Sequence, residues 1–316
     1  MPVFSCTIAE QVPPGWRVDR YISEFLHLLS RSQIKARALE VKINGKNVKL
    51  SRQVKQGDFL ELFWNDALPL HIIPQEIPLN IIYEDDRVVV VNKIQGMVVH
   101  PGAGNRQGTL ANALYFRKLK KHGEKFPENA PDEPAGLYPA ELRPGIVHRL
   151  DKETSGVIIA AWDDEALAFL AGQFKARKVK KNYMAIIHGI PEKMQGRIET
   201  FIARDNADRK RFAVSQHGKI AVTYYKIIKT WQTHSLALLF PKTGRTHQLR
   251  VHMRYLGHPI LGDTVYGFND KVLPDASLML HAKSLSLVLP GETGARVFKS
   301  PVPQRFTAAM KRLAVL

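Results

Sequence analysis

Between Gly145 and Ala161 the chain sets a strongly polar loop between two apolar pieces, and this commits it to a buried sheet. Ile146-Val147 on one side and Val157 to Ala161 on the other read as buried strand pieces, since short β-branched runs suit a covered sheet. Between them lie His148, Arg149, Asp151, Thr154 and Ser155. A carboxylate wedged between buried strands must be paired or hydrogen-bonded, or it takes up a proton. By spacing alone two duties fit Asp151 equally: a chemical one, and capping of the loop through the backbone amides of Lys152 to Thr154.

Around this stretch, from Gly145 to about Leu289, strand-like runs alternate with shorter helices, and there is no internal repeat. Ile81-Ile82-Tyr83 and Val88 to Val91 flank Glu84-Asp85-Asp86, which reads as a hairpin opening a domain. Pro69, Pro74 and Pro78 punctuate the stretch before it, because proline breaks both ladders and helices. Two domains are therefore expected, 1–75 and 76–316. His122 to Pro144 contains five prolines and reads as a long loop, of the kind that is usually functional or disordered.

Residues 17–65 read as a small module. Val18, Tyr21, Ile22, Phe25 and Leu26 recur at helical spacing. Ser30 followed by Gln33 reads as a capping box opening a second helix, Arg31 to Leu39, which carries Arg31, Lys35 and Arg37. Val41-Lys42-Ile43 with Asn44-Gly45 signals a hairpin, and Gly57-Asp58 a turn before the strand-like Phe59 to Phe63. Helix, basic helix, turn and short strands in this order resemble the S4 RNA-binding domain. A small α/β unit of this kind holds a rigid basic face, which suits phosphates.

Charge narrows the partners. The 316 residues carry 46 Lys+Arg against 29 Asp+Glu, a net of +17. Ten Lys/Arg and three Asp/Glu fall between Arg17 and Lys55, and fourteen and four fall between Gln173 and Lys229. These two stretches, at +7 and +10, account for the whole excess. Such an excess favours a polyanion, through counterions released on phosphate neutralisation. The alternative is a soluble basic protein with no nucleic-acid role. Cys6 stands alone, so it makes no internal disulfide and leaves no multi-cysteine zinc or iron–sulfur site, which fits a reducing, cytoplasmic setting. Met1 to Trp16 lack the basic start and apolar stretch of a signal peptide. No apolar run approaches bilayer-spanning length, so no membrane partner is expected.

Several familiar motifs fail. Gly102, Gly104 and Gly108 have the wrong spacing for a dinucleotide loop, and no Gly-Lys-Ser/Thr follows. His247 and His252 are five apart, with no Glu between them, which does not match a helical zinc pair; no metal site is expected. Ser155 is not in a Gly-x-Ser-x-Gly elbow.

Two further pieces carry chemistry. Thr246 reads as an N-cap and Gly257 with Pro259 as a stop. In the helix between, Leu249, Met253 and Leu256 share one stripe, and His247, Arg250 and Arg254 another. Arg250, in the first turns, is a rigidly held cation, and Arg254 an exposed one. In Lys181-Asn182-Tyr183-Met184-Ala185-Ile186-Ile187-His188-Gly189, alternation turns Tyr183 inward.

At these residues the chain resembles the pseudouridine synthases of the ribosomal large-subunit branch that carry an N-terminal S4 domain. His148-Arg149-Leu150-Asp151 with Thr154-Ser155-Gly156 is similar to the family's catalytic motif. Lys181-Asn182-Tyr183 through Gly189 is similar to its tyrosine motif, and Gly244 through His252, continuing to Gly262-Asp263, to its third. Asn92-Lys93 through Pro101 and Leu280-His281-Ala282 fit flanking patterns. The resemblance spans residues 16 to 310, with the proline-rich stretch before Pro144 as its departure.

The resemblance implies an α+β fold, with a mixed, largely antiparallel sheet in the catalytic domain and a small S4-like α/β domain before it. It implies isomerisation of uridine to pseudouridine in RNA without cofactor or metal. Ribosomal RNA of the large subunit is favoured as partner, transfer RNA stays open, and the chain is expected to act as a monomer. Asp151 is the implied catalytic carboxylate, Arg250 its basic partner and Tyr183 the residue that stacks the base and handles protons. Whether such an aspartate attacks ribose or base, or drives elimination to a glycal, stays open. Arg149 is implied to take the space of the flipped nucleotide. Arg31, Lys35, Arg37, Lys180 and Lys181 are expected to grip RNA. A non-catalytic RNA-binding protein and an N-glycosylase are the rival classes.

Overall fold

The structure, a computed structural model, describes residues 4–8, 12–26, 28, 34, 40–63, 72–102, 104–124, 145–205, 208 and 211–315. The chain divides into two compact units, one containing the described residues up to Phe63 and the other those from Ile72 onward. Apart from Ile34, the second helix expected over Arg31 to Leu39, with Arg31, Lys35 and Arg37, lies outside the described residues, as does most of the proline-rich stretch.

The first unit comprises β1 (Phe4–Thr7), the short helix α1 (Val18–Arg20), β2 (Glu40–Ile43), β3 (Lys46–Asn47) and β4 (Phe59–Phe63). The sheet order is β1-β4-β2-β3, and every pairing is antiparallel. Alternation along β4 buries Leu60 and Leu62 against Val18, Tyr21, Ile22, Val41 and Ile43. The helical spacing over 18–26 resolves as α1 followed by a π turn over Tyr21–Phe25. Leu26 N–H reaches back five residues to the Tyr21 carbonyl at 3.0 Å, and the Tyr21 and Phe25 rings stack at 5.1 Å.

The second unit opens with an extended segment tied to its own body: Asn112 Nδ2 donates to Ile73 O at 2.8 Å and Gly108 N to Gln75 Oε1 at 2.7 Å. Its elements are β5 (Ile81–Glu84), β6 (Val88–Lys93), α2 (Leu110–His122), β7 (Ser155–Ala161), α3 (Asp164–Lys175), β8 (Lys180–His188), β9 (Gln195–Arg204), β10 (Phe212–Ser215), β11 (Lys219–Thr230), β12 (His234–Pro241), α4 (Gln248–Tyr255), β13 (Leu280–Val288), β14 (Ala295–Lys299) and α5 (Gln304–Leu313). The strands form one sheet in the order β10-β9-β11-β12-β8-β13-β7-β6-β5, with β14 on β13. Among the described strands only the contact of β13 with β7 is parallel, so the fold is α+β with a mixed, largely antiparallel sheet.

The middle of this sheet explains the continuous apolar runs. In β6, Val88 and Val90 share a cluster with Leu170 of α3, while Val89 and Val91 share one with Leu110 and Leu114 of α2. Val157 and Ile159 of β7 divide from Ile158 and Ala160 in the same way. A strand covered on both faces loses its period-two pattern. Each buried valine contributes about 1.5 kcal/mol or more. The Glu84-Asp85-Asp86 hairpin is held by Asp85 Oδ1, which accepts from Arg87 N and Val88 N at 2.8 and 2.7 Å.

One strand piece is corrected. Ile146-Val147 is not a strand; Ile146 makes an isolated bridge to Ala160. The chain leaves the sheet there because the next residues must turn outward to form the polar loop. Gly156, at φ 117°, marks its other end: a Cβ there would collide with the backbone of Ala282 on β13. The loop is thus delivered onto the sheet where β7 meets β13.

Candidate active site

Asp151 hangs from a loop fastened at several points. Leu150 is buried in the core beside β6 and β7. Thr154 N donates to the Asp151 backbone carbonyl at 3.0 Å. The Lys152 carbonyl accepts from Gly96 N at 2.9 Å and from Lys93 Nζ at 3.1 Å. Lys93, fully buried, also donates to the carbonyls of Ile94 and Met97 at 3.0 and 2.8 Å. Burial lowers its pKa to about 8 against the opposing pull of Asp151 and Glu153. His148 stacks on Phe174 at 4.6 Å and its Nε2 accepts from Ile159 N at 3.1 Å. Burial drives the His148 pKa to about 3, so this imidazole is a neutral brace and not a base.

The Asp151 carboxylate is therefore free to face its partner. Its Oδ2 lies 3.7 Å from Arg250 Nη1. Arg250 is buried and doubly bound to Asp263, through Nε to Oδ2 at 2.7 Å and Nη2 to Oδ1 at 2.8 Å. That fork fixes the guanidinium plane and leaves Nη1 to Asp151. Asp263 is itself held by Val265 N and Tyr266 N, each at 2.9 Å, and the Tyr266 ring lies 5.0 Å beneath the guanidinium. Those hydrogen bonds and the Arg250 charge hold the Asp263 pKa below the usual carboxylate range despite its burial.

The start of α4 differs from expectation. Its N-cap is His247, not Thr246, and His247 sits in the left-handed region at φ 54°. Its side chain does not cap the helix; Nδ1 meets Tyr266 Oη at 2.8 Å. Gln248 closes the turn from within: its Oε1 accepts from Thr243 Oγ1 at 2.7 Å and Arg245 N at 3.0 Å, while Nε2 donates to Val222 O and Thr223 Oγ1. His252, one turn on, bridges Thr223 and Thr200 at 2.9 and 3.1 Å, and burial lowers its pKa to about 4. Arg254 is exposed and donates to Tyr266 O at 2.6 Å.

Tyr183 sits on β8 opposite Leu239 of β12 and Ala282 of β13. Burial, and then the Asp151 charge, push its phenol pKa up, so the hydroxyl keeps its proton. Asp151, Tyr183 and Arg250 line one cleft of about 440 Å³, with Arg149 and Lys181 also in its wall. This lies within the usual range for small-molecule sites, about 300–1,000 Å³. The described lining holds seven Lys and Arg side chains and a single carboxylate, Asp151, a set that suits an anionic polymer. Arg149 is exposed at the rim. Lys180 is exposed on β8 and is not part of the lining.

Sequence reasoning placed Asp263 and Lys93 in family-like motifs without giving them a clamping role, and did not single out Tyr266. The signal for the first was Gly262. At φ 73° a Cβ there would collide with the carbonyls of Ala276 and Ser277, so the Gly-Asp pair marks a turn aimed back at α4.

A family model described as RNA pseudouridylate synthase matches residues 87–255, the span that contains Asp151, Tyr183 and Arg250. Ribosomal large subunit pseudouridine synthase D of Borreliella burgdorferi is 43% identical over 297 residues, covering 92% of this chain and 87% of that protein. The protein of the same name from Zymomonas mobilis is 36% identical over 328 residues, covering 100% and 99%. Among solved structures, human RNA Pseudouridylate Synthase Domain Containing 4 is 28% identical with a TM-score of 0.58, covering 74% of this chain and 93% of that one. With the polar loop, the clamped arginine and the inward tyrosine meeting in one basic cleft, the chain belongs to the RNA pseudouridylate synthase family and is an isomerase that makes pseudouridine in RNA.

Proposed function

We propose that this enzyme isomerises uridines of large-subunit ribosomal RNA, with Asp151 as the essential carboxylate. The observation that carries the reading is the meeting of Asp151, Arg250 and Tyr183 in one cleft of basic wall. Relatives named for the ribosomal large subunit, alike over nearly the whole chain, support the substrate. Arg250 orients the Asp151 carboxylate, and Asp263 keeps Arg250 from turning. The N1–C1′ bond of uridine breaks with its electron pair left on N1, the uracil turns against Tyr183, a C5–C1′ bond forms, and the C5 proton leaves to water while N1 takes up a proton from water. Stacking on an aromatic contributes about 1–3 kcal/mol to holding the loose base. The base is both leaving group and nucleophile, so the isomerisation itself needs no cofactor.

A stacked uridine must first be extruded, at a cost of a few kcal/mol. Arg149, exposed at the rim, fills the space it leaves. Lys180 and Lys181 hold neighbouring phosphates. Residues 1–75, read as an S4-like domain with its linker, contribute Arg31, Lys35 and Arg37 to RNA binding. Its four-stranded antiparallel sheet under α1 supports that reading. The working unit is a single cytoplasmic chain.

The test is tritium release from large-subunit ribosomal RNA labelled at uridine C5, beside transfer RNA labelled the same way. Release from the ribosomal RNA alone, without free uracil, is the expected result. Free uracil would indicate a glycosylase, no release a binder, and release from transfer RNA alone a different substrate.

A further inference from the structure

We propose that His188, His234 and Asp270 form a structural site for one Zn2+ ion, separate from the cleft. The sequence reading looked for metal ligands only at His247 and His252, because these three residues are far apart in the chain. His188 ends β8 and His234 begins β12, and the two residues are direct partners in the antiparallel ladder. Paired residues in a ladder present their side chains on the same face. The segment after α4 brings Asp270 over them. His188 lies five residues along β8 from Tyr183, roughly 16 Å at about 3.3 Å per residue, so the cluster does not share the catalytic groups.

Two of the three donor separations are close to the edges of a tetrahedral zinc site. Asp270 Oδ2 lies 3.3 Å from His188 Nδ1 and 3.0 Å from His234 Nε2, and one ligand atom from each residue falls within 4.8 Å of the others. Bonds of about 2.0–2.1 Å to zinc give tetrahedral edges of about 3.3 Å. Two imidazoles and a carboxylate are a zinc-type set, with a fourth position for water. His234 is 1% exposed, and its Nε2 makes no aligned hydrogen bond although it points at the carboxylate. Supporting hydrogen bonds are already present. His234 Nδ1 meets Thr233 Oγ1 at 2.8 Å, and Asp270 Oδ1 accepts from Val272 N at 2.8 Å and from Leu273 N. Such outer contacts fix the orientation of metal ligands. The Phe268 ring lies 4.2 Å from His188 and is 61% exposed, so the cluster sits one ring beneath the surface.

The ion would fasten the segment after α4 to the sheet. That segment also carries Asp263 and Tyr266, which hold Arg250. A structural ion here supports the arginine clamp without touching RNA.

The experiment uses the full chain, stripped with a chelator, dialysed and titrated with Zn2+. Metal content is measured after a second dialysis, and Co2+ serves as a visible probe. One retained equivalent, tetrahedral Co2+ bands and an upward shift of Tm are expected. His234→Gln and Asp270→Asn should each lose the equivalent while keeping the far-ultraviolet circular dichroism of the parent. No retained zinc in the parent, or retention in both variants, overturns the site in favour of a hydrogen-bonded His–Asp–His cluster. Imidazole 15N shifts of the unmutated protein decide the matter if the variants unfold. Metal-bound nitrogens on two histidines support the site, and unchanged histidine shifts overturn it.

Discussion

In the first unit the ion pairs Arg17–Asp19 and Arg20–Glu24 lie at the surface, with both arginines about half exposed, and the described buried side chains there are all apolar or aromatic apart from the tyrosine hydroxyl. In the second unit Lys93, Arg250, Asp263, His252 and His281 are buried, each beside the cleft or beneath the strands that frame it. Exposed pairs contribute little and leave cations available to an outside anion. Buried charges must be paired and hydrogen-bonded, and breaking one pair strands the other partner. The difference is one of placement: the described ion pairs of the first unit face outward, whereas in the second Arg250 and Asp263 are buried as a pair behind Asp151.

Asp263→Ala would break that contrast most deeply. It leaves Arg250 buried with only Asp151 for company, at a cost of about 3–5 kcal/mol. Urea unfolding should show the loss, and turnover should fall further than RNA affinity. Acid comes next. Burial holds His148 near pKa 3, and His252 and His281 near 4, below the ordinary value of 6.5. The unfolded chain therefore binds protons first as pH falls, and stability drops progressively between pH 6.5 and about 3. Above pH 6.5 these groups leave stability flat. Trp162 and Trp231 fluorescence followed during an acid titration should report that loss in the second unit.

A smaller effect sharpens the other side. Changing Arg31, Lys35 and Arg37 together to Gln should weaken binding to ribosomal RNA and flatten its salt dependence, by about 0.7–0.9 in slope per lost phosphate contact. Turnover at saturating RNA should stay unchanged. Smallest is Glu24→Ala, which should shift unfolding by under about 0.5 kcal/mol.

The sheet and the front of the site were legible because their signals are local. The β5–β6 hairpin, the Asn44-Gly45 turn and the polar loop each show within a short stretch of sequence. Asp151, Tyr183 and Arg250 were picked out by motifs that resemble a family's, since local spacing alone left two duties open for Asp151. What supports them was not legible. Asp263 reaches Arg250 only because the chain reverses after α4, and Lys93 reaches the Lys152 carbonyl only because β6 and β7 are neighbours. Thr246 satisfied the capping rule by type, yet Gln248 performs the task from inside the helix, since its amide can join the turn to Val222 and Thr223 at once. Residue type predicts a local bond, whereas these bonds depend on which strands lie side by side.

The central claim rests on one carboxylate. Asp151→Asn keeps the size and loses the charge, so it should bind ribosomal RNA with the affinity of the parent enzyme while single-turnover tritium release falls by on the order of 10³-fold or more. Parent-like release from that variant would contradict the account.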